Sequence, residues 1–244
     1  MKRVFCTAAM AAIAACGVAS QASAATAVAA LDANSAYVWR GLTFNDGFVL
    51  QPSMDVSANG FAFNVWGNFD VDDYDGAVDD GEFSEVDLTA SYAFKLGKVD
   101  ASLGVIEYLF PAGADATTEL FAGLAYDLGA GFVVSTKLYY DVDQVSDMYV
   151  TAGLAYSYSL NDKTTLGASG MISYAGEDFA EFYAGGTDSG FFNYTLSASI
   201  KYMVTDAFSV GANVNYTDGM DDDVLPSETV DTTVYGGVSL AYTF

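Results

Sequence analysis

The last thirteen residues, Thr232 to Phe244, alternate between two kinds of side chain, and this alternation constrains the fold more than any other feature of the sequence. Counted back in twos from the end, one set is apolar apart from one glycine: Phe244, Tyr242, Leu240, Val238, Gly236 and Val234. The intervening set is small or polar: Thr243, Ala241, Ser239, Gly237, Tyr235 and Thr233. Successive side chains of a strand point to opposite faces, so the segment predicts a strand with one apolar face. Its length and aromatic end match a tilted strand that crosses a bilayer in about 9 to 11 residues.

The same alternation recurs along the chain and predicts about twelve strands. They cover residues 31–40, 50–58, 61–71, 85–94, 99–108, 118–126, 132–140, 148–158, 164–174, 192–202, 208–216 and 232–244. The connections between them alternate between long and short, as they do in barrels of the bacterial outer membrane. The sequence therefore predicts an all-β fold, a transmembrane antiparallel up-and-down β-barrel of about 12 strands. Ten or fourteen strands stay open, because one hairpin could be misread.

A soluble β-sandwich is the alternative, since its strands also alternate. A sandwich has no reason to place aromatic pairs at strand ends, whereas aromatic girdles of membrane barrels do so. Such pairs occur at Tyr92/Phe94, Tyr156/Tyr158 and Tyr242/Phe244. Two local irregularities are also expected. Pro52 cannot donate to a ladder, and the alternation slips at Glu107, which predicts either a bulge or an exit from the membrane near Ile106.

Residues 1–24 have the form of a signal peptide, which leaves residues 25–244 as the barrel domain. Lys2 and Arg3 precede an apolar stretch, and Ala22-Ser23-Ala24 provides a cleavage site of the A-x-A type. Lipidation at Cys16 remains an alternative. Cleavage after Ala24 would remove both cysteines, so the mature chain would need no disulfide chemistry. Together with the strand pattern, the leader predicts a location in the outer membrane of a Gram-negative bacterium.

The charge of the chain is strongly acidic. Removing the leader leaves six basic against 32 acidic residues, a formal charge of −26, which excludes nucleic acid as a partner. Three lysines, Lys95, Lys98 and Lys163, fall in the short turns, and most of the acids fall in the long loops. Two readings of the acidity stay open. The loops are simply solvated, or they form a field that attracts cations to a pore mouth or to calcium-bridged lipopolysaccharide.

The residue types that carry most enzyme chemistry are missing. The chain has no histidine, and known barrel enzymes use one as a general base, so no enzyme activity is expected. Without histidine or a mature cysteine, no zinc, copper or other cofactor is expected either. The segment Asp72 to Gly76 is similar to part of a calcium loop, but its ligand positions do not line up, which favours a solvated loop.

Strand parity places a set of ionisable residues on the inward face, where they would line a pore. The acids are Asp32, Asp55, Asp70, Glu85, Asp87, Asp100, Glu119 and Asp141, and the bases are Arg40, Lys137 and Lys201. The competing interpretation is that these residues pair with one another and fill a closed interior. Arg40 is the only arginine of the mature chain, and we expect it to form a bidentate pair with a lumen carboxylate.

Two stretches resemble the TorF-type porin family of Gram-negative outer-membrane proteins. They are Tyr37-Val38-Trp39-Arg40-Gly41-Leu42-Thr43 and Gly104-Val105-Ile106-Glu107-Tyr108-Leu109-Phe110-Pro111. The chain departs from the family in having Thr43 for serine and in inserting Ala112 between Pro111 and Gly113. The resemblance implies a barrel with channel activity. The terminal strand is also similar to those that the barrel-insertion machinery reads, and Phe244 would then mark the periplasmic rim.

These observations predict a channel for passive diffusion of small solutes that prefers cations. Twelve strands lie between barrels of about eight strands, which side chains fill, and those of about sixteen, which leave an aqueous channel. The alternative is a closed structural or surface-interaction barrel that acts through its acidic extracellular loops. The expected partners are outer-membrane lipid and lipopolysaccharide, the insertion machinery and small solutes.

Overall fold

The computed structural model describes residues 25–72, 80–111 and 113–244. The predicted signal peptide, 1–24, and the alternative lipidation site at Cys16 lie outside the described residues. So does most of the segment from Asp72 to Gly76.

Twelve antiparallel strands close into one barrel, as the alternation predicts. They are β1 (Thr26–Asn34), β4 (Val49–Ala58), β5 (Phe61–Asp70), β6 (Glu82–Leu96), β7 (Val99–Leu109), β8 (Thr117–Gly129), β9 (Phe132–Asp141), β10 (Met148–Ser159), β11 (Thr164–Ala175), β12 (Gly190–Met203), β13 (Phe208–Gly219) and β14 (Val234–Thr243). Each strand pairs with its neighbours, and β1 closes the barrel by pairing with β14, where Leu31 lies opposite Leu240.

Two further strands, β2 (Tyr37–Trp39) and β3 (Leu42–Asn45), form a hairpin between β1 and β4 that stands apart from the barrel ladder. The prediction of a first barrel strand over residues 31–40 is therefore wrong. The barrel strand begins earlier, at Thr26, and ends at Asn34. The alternation runs on past that point because the hairpin is also built of strands, so the period of two does not mark where the chain leaves the wall.

The two ends of the barrel carry different connections. At the short-turn end, the strands are joined through residues 59–60, 97–98, 130–131, 160–163 and 204–207. The long-loop end carries the longer connections, which include helix α1 (Glu177–Ala184) and a 3-10 helix over Ser227–Thr229. Within the described part of the chain, neither helix has the length and apolar character needed to cross a membrane.

The outer surface of the barrel is apolar with aromatic residues at both ends. On β14, Val238 and Leu240 are 57% and 45% exposed, which confirms the predicted apolar outer face. Aromatic pairs at the short-turn end include Phe61–Tyr92 at 4.6 Å and Phe132–Tyr156 at 4.5 Å between ring centroids. At the long-loop end, Phe69 and Phe83 lie 5.2 Å apart. Aromatic rings thus mark both edges of an apolar band, the arrangement of a membrane barrel.

The two predicted irregularities have different outcomes. The ladder between β4 and β5 is interrupted at Pro52, since pairing stops after Leu50–Phe69 and resumes at Ser53–Trp66. The prediction of a bulge near Ile106 is wrong, because Ile106 pairs in unbroken register with Thr89 on β6 and Glu119 on β8. The break in the apolar alternation at Glu107 reflects the position of this residue near the long-loop end, where its carboxylate accepts a 2.6 Å hydrogen bond from the Thr118 hydroxyl.

Candidate functional site: a plugged lumen

The lumen at the long-loop end is filled by the β2–β3 hairpin and helix α1, which together we call the plug (residues 37–45 and 177–184). The loop after β13 packs against it through Val224 and Leu225. Apolar residues of the plug, the wall, this loop and the loop between β9 and β10 form a single buried cluster: Leu42, Phe121, Tyr139, Val145, Tyr149, Ala175, Phe179, Ala180, Ala184, Phe192, Val224, Leu225 and Val230. The barrel therefore has a packed core in one half of its interior.

The hairpin turns sharply at Arg40 and Gly41. Trp39 pairs with Leu42, which leaves a two-residue turn with φ of 52° at Arg40 and 89° at Gly41. Positive φ at both central residues is the signature of a type I′ turn, which suits the twist of a hairpin. A Cβ at Gly41 would lie 2.9 Å from the Cβ of Asn193 on the wall. Glycine is therefore required both for the backbone conformation and for the close approach.

Arg40 lies at the tip of the hairpin and forms a bidentate pair with Glu119 of β8. Its Nη1 donates to Oε1 at 2.8 Å and its Nη2 to Oε2 at 2.6 Å, and only 8% of the Arg40 side chain and 1% of the Glu119 side chain are exposed. The predicted pairing of Arg40 with a lumen carboxylate is confirmed, although the hairpin rather than a barrel strand brings it there. Removing one partner of such a buried pair costs about 3–5 kcal/mol, because the other charge stays behind uncompensated.

Four aromatic rings surround the Arg40 guanidinium. Its central carbon lies 4.3 Å from the ring centroid of Trp39, 4.5 Å from Tyr139, 4.4 Å from Tyr149 and 5.4 Å from Phe179. Desolvated cation–π contacts contribute about 2 kcal/mol. Burial lowers the pKa of Arg40, but the Glu119 carboxylate more than offsets this and leaves the pKa above its ordinary value. The guanidinium is held as a cation.

Two further contacts attach the hairpin to the wall. The Tyr37 hydroxyl donates to Glu85 Oε2 at 2.8 Å, and Asn45 Nδ2 donates to Asp70 Oδ1 at 2.7 Å. Burial, together with the carboxylates of Glu85 and Asp87, raises the pKa of Tyr37 well above its ordinary value, so its hydroxyl keeps the proton that it donates. Buried acids on three wall strands, β5, β6 and β8, therefore hold the hairpin through side chains alone.

Helix α1 is fixed by Asp147 of the loop between β9 and β10. Gly176 offers no side chain to cap the helix, and Asp147 Oδ2 accepts the free N–H of Phe179 instead, at 3.1 Å. Phe179 is fully buried and lies against Trp39 at 6.0 Å and Tyr149 at 5.2 Å between ring centroids. Burial, with the Glu119 carboxylate, raises the pKa of the helix residue Tyr183. An aspartate at a helix N-terminus satisfies an otherwise unpaired donor.

Asn193 fixes the wall behind the hairpin. It is fully buried on β12, and its Oδ1 accepts the Tyr149 hydroxyl at 2.9 Å and the Ser173 hydroxyl at 2.5 Å. Its Nδ2 donates to the Thr217 hydroxyl at 3.2 Å. A buried amide with its hydrogen bonds made holds its neighbours in one arrangement. Tyr149 is therefore positioned by the wall rather than by the plug.

The predicted pore-lining residues fall into two groups. Those of the long-loop half are buried inside the barrel: Asp32, Arg40, Asp70, Glu85, Glu119 and Asp141. Hydrogen bonds join the last five of these to other protein groups. Asp141 is typical of this group, since it accepts the Thr117 hydroxyl at 2.6 Å and the N–H groups of Asp143 and Val145. In this half, the competing interpretation of mutual pairing and filling describes the side chains.

The second group lies deeper in the lumen or toward the short-turn end: Asp55, Asp87, Asp100, Lys137 and Lys201. Asp100 forms an ion pair with Lys95, and Lys137 Nζ lies 3.8 Å from the ring centroid of Phe121. Asp87 faces the plug and has a buried Oδ1 without a hydrogen-bond partner. No arrangement of three or more acids, cysteines or histidines that could hold a metal ion occurs within the described ranges.

The short-turn half of the lumen, which we call the vestibule, is lined differently. Most of its inward-facing residues on β10 to β14 are small or polar: Gly153, Ala155, Ser157, Gly167, Ser169, Ser197, Ser199, Gly211, Asn213, Ser239 and Ala241. Side chains this short extend only a small distance from the wall. Met171 and Lys201 are the longer side chains of this face. The interior therefore changes from a packed aromatic core to a polar lining along the barrel axis.

Sequence reasoning did not find the plug. Phe179 falls in a stretch that reads as a long loop, and the contact of Tyr149 with Arg40 gives no local signal. The Arg-Gly dipeptide followed by an aliphatic residue is the one available sign of the hairpin. It lacks the Asn-Gly or Asp-Gly form by which two-residue turns are usually identified.

A closed antiparallel barrel of twelve strands with an apolar outer face defines the class of transmembrane β-barrel proteins. Residues 18–234 match the profile of Gcw_chp, which is described as a bacterial protein of unknown function. The chain belongs to this family. No curated protein matches the sequence.

Several solved outer-membrane channels share the fold at low sequence identity. An outer-membrane channel of the COG4313 group from Pseudomonas putida F1 is 12% identical with a TM-score of 0.57, and the match covers 93% of this chain and 97% of that one. The KdgM porin in complex with disordered oligogalacturonate is 10% identical with a TM-score of 0.55, covering 90% and 99%. The NanC porin is 12% identical with a TM-score of 0.54, covering 89% and 98%. The resemblance to TorF-type porins stays a prediction.

Proposed function

We propose that the protein is an outer-membrane, porin-like channel for passive diffusion of small solutes, closed in this conformation by its plug. The observation that carries the proposal is the small, polar lining of the vestibule beneath a plug that is not paired into the barrel wall. A closed barrel with a purely structural role would gain stability from large side chains packed throughout its interior. The fold shared with channel proteins supports the proposal.

The proposed orientation puts the long loops outside the cell and both termini in the periplasm. Outer-membrane barrels have short periplasmic turns and long outer loops. Acidic loop residues such as Asp221, Asp222 and Asp223 would then face the medium and the lipopolysaccharide layer. The plug would close the outer mouth, and the vestibule would open to the periplasm.

We propose a cation preference that rests on fewer charges than the sequence suggests. Glu119, Glu85 and Asp70 hold the hairpin, so they act as structural groups while the plug is in place. Carboxylates within a confined lumen are screened less than those on loops and favour cations. Inside the barrel, Asp55 lies nearer the solute path but is opposed by Lys137 and Lys201, so the proposed preference rests mainly on acids of the outer mouth such as Asp221, Asp222 and Asp223.

A closed structural barrel is the second candidate, because the packed core at the long-loop end favours it. Single-channel recording in planar bilayers separates the two. The unmodified protein should open rarely, and a triple variant, Tyr37→Phe with Arg40→Ala and Asn45→Ala, should open frequently because it lacks the three side chains that bind acids of the wall. Glu228→Gln, at an exposed position of the same end, should behave as the unmodified protein. A folded triple variant without conductance steps would favour the closed barrel.

A further inference from the structure

We infer that the barrel wall carries a binding site for a guanidinium group, which Arg40 fills as an internal ligand. The site comprises Glu119, Tyr139 and Tyr149 of the wall, with Phe179 of α1. An external small cation with a guanidinium group would compete with Arg40 for it. That last step rests on the proposed channel function, whereas the site itself does not.

Most of the binding site does not depend on the hairpin that carries Arg40. Of the groups around the guanidinium, only Trp39 comes from the hairpin. Glu119, Tyr139 and Tyr149 come from three adjacent wall strands, β8, β9 and β10. If the hairpin left, the carboxylate and two of the rings would remain on the wall.

The wall groups are also held in place without Arg40. Tyr108 donates to Glu119 Oε2 at 2.8 Å, and the Tyr149 hydroxyl donates to Asn193 at 2.9 Å. Phe179 is tied through its N–H to Asp147. A site whose groups are fixed by surrounding contacts loses little conformational freedom when a ligand binds.

The geometry selects a guanidinium over an ammonium group. Both Glu119 oxygens accept one N–H each from the same planar fork, at 2.8 and 2.6 Å. A lysine-type ammonium is a compact point charge that cannot make this pair of parallel hydrogen bonds. The rings of Tyr139 and Tyr149, at 4.5 and 4.4 Å, complete a site for a flat cation.

The hairpin can leave this site without disturbing the barrel ladder. Among the strands that the structure describes, β2 and β3 pair only with each other. The side chains of Tyr37, Arg40 and Asn45 bind acids of the wall, and the Thr43 hydroxyl accepts the Thr232 N–H of the last loop. Competition for Glu119 would weaken the central anchor and so favour the open state.

The test uses Arg40→Ala in a Trp66→Phe background, so that Trp39, next to the vacated site, is the only tryptophan. Detergent-folded protein is titrated with methylguanidinium and, as a cation of equal charge, with methylammonium. We expect a saturable change in Trp39 fluorescence and a rise in thermal midpoint with methylguanidinium. Methylammonium should bind about tenfold more weakly, because it cannot make the second of the two parallel charge-assisted hydrogen bonds to Glu119.

Adding Glu119→Gln to this variant should abolish the difference between the two cations. If Arg40→Ala folds poorly, its refolding yield in each cation gives the same comparison, and only methylguanidinium should raise it. Equal responses to the two cations, or no response from folded protein, would overturn the inference. A variant that binds methylguanidinium but never conducts would instead contradict the proposed channel and leave the site standing.

Discussion

The Tyr108 hydroxyl donates a 2.8 Å hydrogen bond to Glu119 Oε2, the same oxygen that pairs with Arg40 Nη2 at 2.6 Å. The two stretches that resemble the TorF-type family, residues 37–43 and 104–111, therefore meet at a single carboxylate. The first stretch supplies the Arg40 cation, and the second supplies the Tyr108 hydroxyl as a neutral donor. The sequence motifs thus describe a three-residue contact inside the lumen.

Glu119→Gln should destabilise the barrel by about 3–5 kcal/mol, because the Arg40 cation would stay buried without its counter-charge. The measurement is the unfolding free energy in detergent, followed through loss of heat-modifiable gel migration. Asp222→Asn, which changes an exposed acid at the same end, is the control and should have little effect. A loss of less than about 1 kcal/mol would mean that the pair is not desolvated as described.

Gly41→Ala should destabilise the plug more than Gly97→Ala destabilises its turn. Both glycines have positive φ, 89° and 64°, so both variants are strained by about 1 kcal/mol or more. Only at Gly41 would the new Cβ approach Asn193, at 2.9 Å, since nothing lies within 4 Å of a Cβ at Gly97. Unfolding curves of the two variants should therefore differ, and identical losses would argue against the close packing of hairpin and wall.

Asp147→Ala should loosen helix α1 while the barrel stays folded. The change removes the acceptor of the Phe179 N–H, and loss of such a cap costs about 1 kcal/mol. Hydrogen exchange of residues 177–184 should speed up, with strand amides unaffected. Asp143→Ala, in the same loop but with its carboxylate exposed, is the matched control. Unchanged exchange in the helix would show that Phe179 packing alone holds it.

Neutralising loop and lumen acids should have different salt dependence. Replacing Asp221, Asp222 and Asp223 by Asn should lower cation selectivity mainly at low salt, because exposed charges are screened over about 8 to 10 Å at physiological salt. Asp55→Asn should lower it at all salts, since that residue lies inside the barrel. Reversal potentials under a salt gradient provide the measurement. Anion preference in the unmodified protein would contradict the charge argument.

The wall of this barrel could be predicted closely, and the plug could not. Strands such as 132–140 and 208–216 agree with the structure to within a few residues, because one face meets an apolar surrounding and the other does not. The pairing of Arg40 with a carboxylate could also be predicted, because a lone arginine inside a barrel needs a counter-charge. The hairpin was missed because it shares the period of the barrel strands. Helix α1 was missed because eight residues held by a distant aspartate leave little pattern in the sequence.

The placement of the hairpin's wall partners bears on how the barrel can close. Its anchors, Asp70, Glu85 and Glu119, belong to β5, β6 and β8, all of which precede the middle of the chain or lie near it. The seam between β1 and β14, in contrast, needs the final ten-residue strand. These three acids therefore lie on strands that can pair with one another before the seam forms. One further hydrogen bond of the hairpin, from the Thr232 N–H to the Thr43 hydroxyl at 2.8 Å, lies beside the last strand. The hairpin can therefore bind these acids while the sheet is still open, and it need not be threaded into a closed barrel.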